Sequence, residues 1–279
     1  MAARGPARQI AQAENRMWNL EALKAELAGS IFSGKLHFSR VTESTNSDAM
    51  AAARRSEPHG SVYCSDEQTA GRGRGDHRWV SAAGEGLYVS VLLRPRISAA
   101  RLALLPLVAG LAAVGAVRTA AGLAVDLRWP NDLLIGERKT GGILVETQIE
   151  SKGPLHAVVG IGINVHQRSF PPGLDTPATS LDLESGRQIS RQALLVALLK
   201  SLEREADGLA DAAGAELILA RVEQASSWVR RRKVVVHGPQ PCEGVTAGLD
   251  EHGFLRVDTA GGLVTVQSGG LREKRASSH

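Results

Sequence analysis

Three stretches of this chain carry side chains whose types and spacing could do chemistry. The first runs from Gln68 to Trp79, Gln-Thr-Ala-Gly-Arg-Gly-Arg-Gly-Asp-His-Arg-Trp. Ala70, Gly71, Gly73 and Gly75 let the backbone come close to a ligand, Arg72, Arg74 and Arg78 can hold anionic oxygens, and Trp79 can stack on a flat ring. That combination suits a nucleotide-derived anion. Taken alone, it fits equally well a flexible arginine-glycine loop that touches nucleic acid. The second stretch is Thr42-Glu43-Ser44-Thr45-Asn46. Its three small polar side chains, Ser44, Thr45 and Asn46, can cap a helix or grip a neutral polar group such as a urea. The third is Trp129-Pro130-Asn131-Asp132, followed by Lys139. Asn131 and Asp132 read either as turn residues or as groups for a metal ion or for the ribose and amine of a nucleotide. Lys139, between glycines, is either a solvated turn residue or a point charge for a carboxylate or phosphate.

The surrounding pattern must position these groups. Asn19 to Leu27 reads as one short helix, capped by Asn19 and stopped by Gly29. Leu36 to Val41 reads as a strand, and the alanine-rich Ser47 to Arg55 as a helix. Strands at Ser61 to Asp66 and Gly86 to Leu93 bracket the arginine-glycine loop, which therefore joins two core strands. Arg101 to Ala121 reads as an apolar helix covering the sheet. Leu127 to Ile135 reads as a strand, a proline-enforced turn and a second apolar run, and strands are expected at Ile143 to Gln148 and at His156 to Val165. In the last of these, Gly160 and Gly162 keep one face bare where a ligand could lie against backbone. Amphipathic helices follow over Ser190 to Leu209 and about 215 to 226. From Lys233 the pattern becomes four or five short strands between glycine- and proline-rich turns, a small barrel of the SH3 type, with Arg230 to Arg232 as a charged linker before it.

Composition excludes several classes. With 279 residues and 43% hydrophobic content, the chain can bury one sizeable core and carry a small second domain. A net charge of only +4, with the basic residues clustered, argues for local anion sites over a broad nucleic-acid surface. Cys64 and Cys242 have no CxxC spacing, so neither a disulfide framework nor a zinc site is indicated, and a cytoplasmic setting is expected. Residues 1 to 16 lack the apolar run of a signal peptide and read as a disordered tail. The uncharged Leu102 to Val117, interrupted by Pro106, is too short to span a bilayer, so no membrane partner is expected.

Glu43-Ser44-Thr45-Asn46, Gln68 to Arg74 with Trp79, Trp129-Pro130-Asn131-Asp132, Lys139 with Gly142 to Glu146, and Gly160 to Asn164 stand in one order over residues 36 to 225. This set resembles the catalytic domain of biotin protein ligases, and the tail from about 230 resembles the family's small C-terminal barrel. The resemblance implies an α+β fold: a mixed sheet flanked by helices, like the class II aminoacyl-tRNA synthetases, then an SH3-like β-barrel. It divides the chain into a tail and short helix (1–35), a biotin- and ATP-binding domain (36–228) and the barrel (229–279). It implies that Ser44, Thr45, Asn46 and Gln68 line the biotin ring pocket. Arg72 and Arg74 would hold the biotin carboxylate and the phosphate, with Gly71 and Gly142 giving backbone approach. Trp79, Asn131, Asp132 and Asn164 would serve the nucleotide, Asp132 the magnesium ion, and Lys139 together with Arg74 the catalysis.

The implied reaction has two steps. Biotin and ATP give biotinyl-5′-AMP and pyrophosphate, and a lysine of a biotin carboxyl carrier protein, a subunit of acetyl-CoA carboxylase, then takes the biotin. Two anions meet in the first step, so Arg72, Arg74, Lys139 and a magnesium ion near Asp132 are the expected screening charges. The chain departs from the family after Arg74, where Gly75-Asp76-His77-Arg78 replaces a further arginine and glycine and adds a carboxylate to the loop. The first 35 residues have no room for a three-helix DNA-binding module, so no DNA partner is expected. Homodimerisation stays open. Two other readings stand beside this one: a lipoate-protein ligase on the related fold, and a non-enzymatic ligand- or RNA-binding module.

Overall fold

The computed structural model describes residues 18–75, 77–148, 156–210 and 212–273. The expected tail, residues 1 to 16, and the added carboxylate at Asp76 lie outside the described residues. Helix α1 (Leu20–Glu26) begins where the Asn19 side chain accepts the Ala22 N–H at 3.0 Å. Leu23, Leu27 and Phe32 then bury themselves in the main core, so residues 20–32 are packed into the body of the fold.

Strand β1 (Leu36–Thr42) runs parallel to β2 (Ser61–Gln68), and helix α2 (Thr45–Arg54) makes the crossover that a parallel pair requires. Strand β3 (Gly86–Leu93) is buried along its whole length. A 3-10 segment, Ala99–Leu104, leads into α3 (Leu105–Ala121). Pro106 therefore stands in the first turn of α3, where its missing N–H has no intrahelical partner to lose, and does not interrupt a longer helix.

Strands β4 (Asp126–Arg128), β5 (Asp132–Ile135), β6 (Arg138–Gln148) and β7 (His156–Asn164) complete a seven-stranded sheet ordered β1-β2-β3-β7-β6-β5-β4. Every pairing except β1 with β2 is antiparallel. The pattern placed Lys139 in a turn before a strand starting at Ile143, but β6 starts at Arg138. Lys139 pairs with Leu134 across an irregularity in the β5–β6 register, and that lengthened ladder turns the lysine from a loop residue into a strand residue.

After the short helix α4 (Leu181–Ser185), helices α5 (Arg191–Asp207) and α6 (Ala212–Gln224) finish the larger body. Helix α5 packs beside α3 through Leu194, Leu195, Leu198, Leu199 and Leu202, all buried in the main cluster that covers one face of the sheet. The opposite face holds a smaller cluster, with Ala49, Ala52 and Ala53 of α2 against Tyr63, Leu92 and Val158. Alternation along β2, β3 and β7 sends neighbouring residues to these two layers.

Strands β8 (Arg230–His237), β9 (Cys242–Leu249), β10 (Leu255–Thr259), β11 (Gly262–Val266) and β12 (Gly270–Glu273) form a five-stranded antiparallel sheet ordered β11-β10-β9-β8-β12. Arg230 to Arg232, read as a linker, belong to β8. Arg231 takes a φ of 59°, and the register with β9 shifts between Arg230 and Lys233. Val234, Val236, Leu255, Val257, Val266 and Leu271 of this sheet join the same core cluster as the larger body. At that seam the Trp129 Nε1–H donates to the Gly253 carbonyl at 3.0 Å. Leu104 and Leu107 close on Gly253 so tightly that a Cβ there would lie 2.7 Å from Leu107 Cδ1.

One continuous core should unfold in one cooperative transition. Leu107→Ala empties a buried site against the turn at Gly253 and should cost about 2–5 kcal/mol. A single shifted calorimetric transition is the expected result; a second transition appearing for the 229–273 part would contradict the shared core.

Candidate active site

The first half of the site forms where α2 starts beside the end of β2. Ser44 is the N-cap residue in extended backbone, yet its side chain makes no capping bond. Gln68 supplies that acceptor instead: its Oε1 takes the Thr45 N–H at 2.9 Å, while its Nε2 donates to Ser81 Oγ at 2.8 Å. The Thr45 hydroxyl lies 2.7 Å from Ser90 Oγ, and Ser90 donates to Asn46 Oδ1 at 2.6 Å. The Asn46 Nδ2 group then donates to Glu146 Oε2 at 2.8 Å. Both oxygens of Glu146 also receive Arg72, at 3.0 and 2.7 Å. Ser44, Thr45 and Asn46 are buried, so a network of neutral hydroxyls and amides ends on one carboxylate–guanidinium pair. Such a wall suits a neutral ring that both donates and accepts hydrogen bonds.

Glycines hold the floor open, though not against a ligand as expected. A Cβ on Gly160 would lie 1.9 Å from Asn46 Oδ1, and one on Gly162 would lie 2.6 Å from Trp79 Nε1. The bare strand face is thus filled by the two side chains that the loop and α2 send onto it. Gly71 is tied to Trp79 by the Trp79 N–H to Gly71 carbonyl bond at 2.9 Å, and its own Cβ position is blocked by the Trp79 carbonyl at 2.4 Å. The glycine therefore lets the loop fold back and set Trp79 over Gly142 and Gly162.

The second half is cationic. Lys139 Nζ lies 2.6 Å from Asp132 Oδ1 and 5.6 Å from the centre of the Trp79 ring. Arg128 Nη2 binds the other oxygen, Asp132 Oδ2, at 2.6 Å. Burial pushes the Asp132 carboxyl up, but Lys139 and Arg128 outweigh it and hold the group below the usual carboxylate range. Arg74 donates to Asn131 Oδ1 at 3.2 Å and to the Gly269 carbonyl of the barrel at 2.9 Å. Burial lowers its pKa, against the field of Asp132. Asn131 in turn braces β6, exchanging bonds with Ile143 at 2.9 Å in both directions.

The expected residues are therefore brought together in two groups joined by Trp79: Ser44, Thr45, Asn46, Gln68 and Arg72 on one side, Lys139, Asp132, Asn131 and Arg74 on the other, with Gly71 and Gly142 between them. Asn164 shares the strand face of Gly160 and Gly162. It is buried, with Nδ2 donating to the Thr179 carbonyl at 3.0 Å and Oδ1 accepting from Gln167 at 3.3 Å. Ser90, Ser81 and Arg128 were missed as site residues, and Glu146 was read only as part of a motif. Ser90 had one visible signal, a single small polar residue within the otherwise apolar and aromatic run Gly86 to Leu93.

Asp132 does not fit the role of a magnesium ligand in this arrangement. Each of its oxygens is already in an ion pair with a cation.

Fold and site together define a ligase: a mixed sheet carrying a glycine-rich arginine loop and a lysine–aspartate pair, followed by a small barrel. The chain belongs to the biotin/lipoate A/B protein ligase family, whose model matches residues 38–164. It is 34% identical over 249 residues to the bifunctional ligase/repressor BirA of Bacillus spizizenii, covering 88% of this chain and 75% of that protein. With the biotin–[acetyl-CoA-carboxylase] ligase of Paracoccus denitrificans it shares 32% identity over 224 residues, 77% of this chain and 90% of the other. The fold superposes on the biotin protein ligase of Aquifex aeolicus, solved with biotin and ATP, with a TM-score of 0.74 and 28% identity over 87% of this chain and 100% of that one.

Because the Asp132 pKa is lower folded than unfolded, its ion pairs stabilise the protein above about pH 4 and are lost as the pH falls through the folded value. Thermal melts of wild type and Asp132→Asn should differ most near neutrality and converge as pH drops from about 5 toward 2. A gap independent of pH would remove Asp132 from the ion pairs.

Proposed function

We propose that this chain forms biotinyl-5′-AMP from biotin and ATP and then transfers the biotin to a lysine of a biotin carboxyl carrier protein. One observation carries the reading: Trp79, on its glycine floor, stands between a wall of neutral hydroxyls and amides and a cluster of cations that includes Lys139. The wall suits the ureido ring of biotin, and the cations suit the carboxylate and phosphate that must meet. Relatives named as biotin ligases, and a similar structure holding biotin and ATP, support the same choice.

In the first step a biotin carboxylate oxygen attacks the α-phosphorus of ATP and pyrophosphate leaves. Lys139 and Arg74 offset the negative charge gathering on the phosphate oxygens, an effect that grows in a site screened from water. Arg72 takes the biotin carboxylate in place of Glu146, exchanging one anion for another. Asn164 and the Trp79 ring serve the adenine. In the second step the carrier's lysine amine attacks the acyl carbon, and AMP departs with the electrons of the broken bond. Magnesium belongs to this proposal as an ion brought on the nucleotide's own phosphates, since such ions need few protein ligands. The two free cysteines fit a cytoplasmic setting.

Pyrophosphate release, measured with ATP, magnesium and either biotin, lipoate or no acid, tests the reading. Release that depends on biotin is expected, and Lys139→Ala should reduce it by about 100-fold or more while the fold is kept. Release with lipoate alone would move the assignment to the lipoate ligase. Gly160→Ala forces Asn46 aside and should raise the KM for biotin at least tenfold with little change in the KM for ATP. Equal changes in both would show that Asn46 does not face biotin.

A further inference from the structure

We propose that Arg128 is a positioning residue for Lys139, acting through Asp132 and itself held in place by Trp228 at the junction with the barrel. The proposal rests on the ligase reading above and adds to it a residue that no loop motif contains.

The geometry is specific. Arg128 donates to Asp132 Oδ2 from both Nη2, at 2.6 Å, and Nε, at 3.2 Å, while Lys139 holds Oδ1. Its Nη2 also donates to Thr176 Oγ1 at 2.9 Å. Thr176 lies on the loop whose Pro177 carbonyl receives the Lys139 backbone N–H at 2.7 Å, so Arg128 braces both the partner of the lysine side chain and the segment beside its backbone. The Arg128 guanidinium stands 5.3 Å from the centre of the Trp228 ring, and Arg232 covers the same ring at 4.0 Å. Trp228 is 4% exposed. Beyond it, Arg232 reaches Glu273 of β12 at 3.3 Å and Ser227 Oγ at 3.2 Å. A chain of direct contacts therefore runs Lys139, Asp132, Arg128, Trp228, Arg232, Glu273, from the site into the barrel.

Electrostatics give the chain its purpose. A carboxylate shielded from water and facing a lysine alone would hold that ammonium as a tight pair. A second cation on its other oxygen divides the attraction, so Lys139 is aimed by Asp132 and still has charge to offer an incoming anion. Arginine suits the task because its planar fork can reach Asp132 and Thr176 while its face lies toward an indole. A lysine could supply the charge without the fork.

The test is steady-state pyrophosphate release, read as separate kcat and KM values, with melting temperatures for each variant. Arg128→Met should lower kcat between about tenfold and a hundredfold while the KM for biotin stays within about twofold. Arg128→Lys should recover part of the loss. In an Asp132→Asn background the same Arg128→Met change should have little further effect, since the path to Lys139 is already broken. Trp228→Leu should reproduce part of the kcat loss without changing the biotin KM. Wild-type kcat in Arg128→Met overturns the proposal. So does a parallel fall in kcat, biotin affinity and melting temperature that Arg128→Lys does not relieve, because that describes a merely structural arginine. If Arg128→Met does not fold, Arg128→Lys decides alone: reduced kcat with unchanged biotin KM supports the fork, and full activity overturns it. Absence of biotin-dependent release from the wild-type protein overturns the ligase reading and this proposal with it, whereas wild-type release with an unaffected Arg128→Met overturns only the positioning role.

Discussion

The constraint on which the site depends is the placement of one carboxylate, Asp132, between two cations. Each of its oxygens is occupied, by Lys139 and by Arg128. A carboxylate withdrawn from water in this way costs free energy unless it is paired, and its pairing fixes the groups on either side of it. The strand register follows from the same need. Asp132 opens β5, Lys139 stands near the start of β6, and the irregular ladder between them brings lysine and carboxylate within 2.6 Å.

Glycines do complementary work on the floor. Backbone at Gly160, Gly162 and Gly142 is left bare so that Asn46 and Trp79 can descend onto the sheet. Those two side chains come from α2 and from the arginine-glycine loop, so the floor is where three separated segments meet. The first turn of α2 is held by Gln68 across the gap, which couples the helix start to the loop that follows β2. A ligand entering here would meet groups already ordered by one another, with less entropy to lose on binding.

The barrel is part of the same body. Its valines and leucines share a cluster with α3 and the large sheet, and its Gly269 carbonyl receives Arg74. Division of the chain near residue 229 therefore separates two sheets without separating two cores. Arg74 is held between the Asn131 side chain and this carbonyl, so the loop's geometry is tied to the barrel as well as to the large sheet. A residue at this seam, such as Trp228, can bear on chemistry several contacts away.

Periodicity and turn residues in the sequence were enough to locate β3 at Gly86–Leu93, to place α5 and α6 within a few residues, and to announce a terminal group of short strands, because alternation and helical spacing are local properties. Residue types in order were enough to indicate the ligase family, and the structure brings most of the named residues together, since arginines and glycines in one loop suit anion binding. Strand pairing was beyond local reach. Lys139 looked like a turn residue because its place in β6 depends on a ladder with β5, and Arg230 to Arg232 looked like a linker for the same reason. Ser44, Thr45 and Asn46 looked like caps, but the cap comes from Gln68, 23 positions after Thr45. Arg128 carried no signal at all, because a guanidinium gains its role only from what surrounds it. What the sequence determined by itself is which chemical groups are present and the local elements that carry them. Which group opposes which was decided only by the tertiary structure, because hydrogen bonds and ion pairs act over a few ångströms and only folding brings distant positions that close.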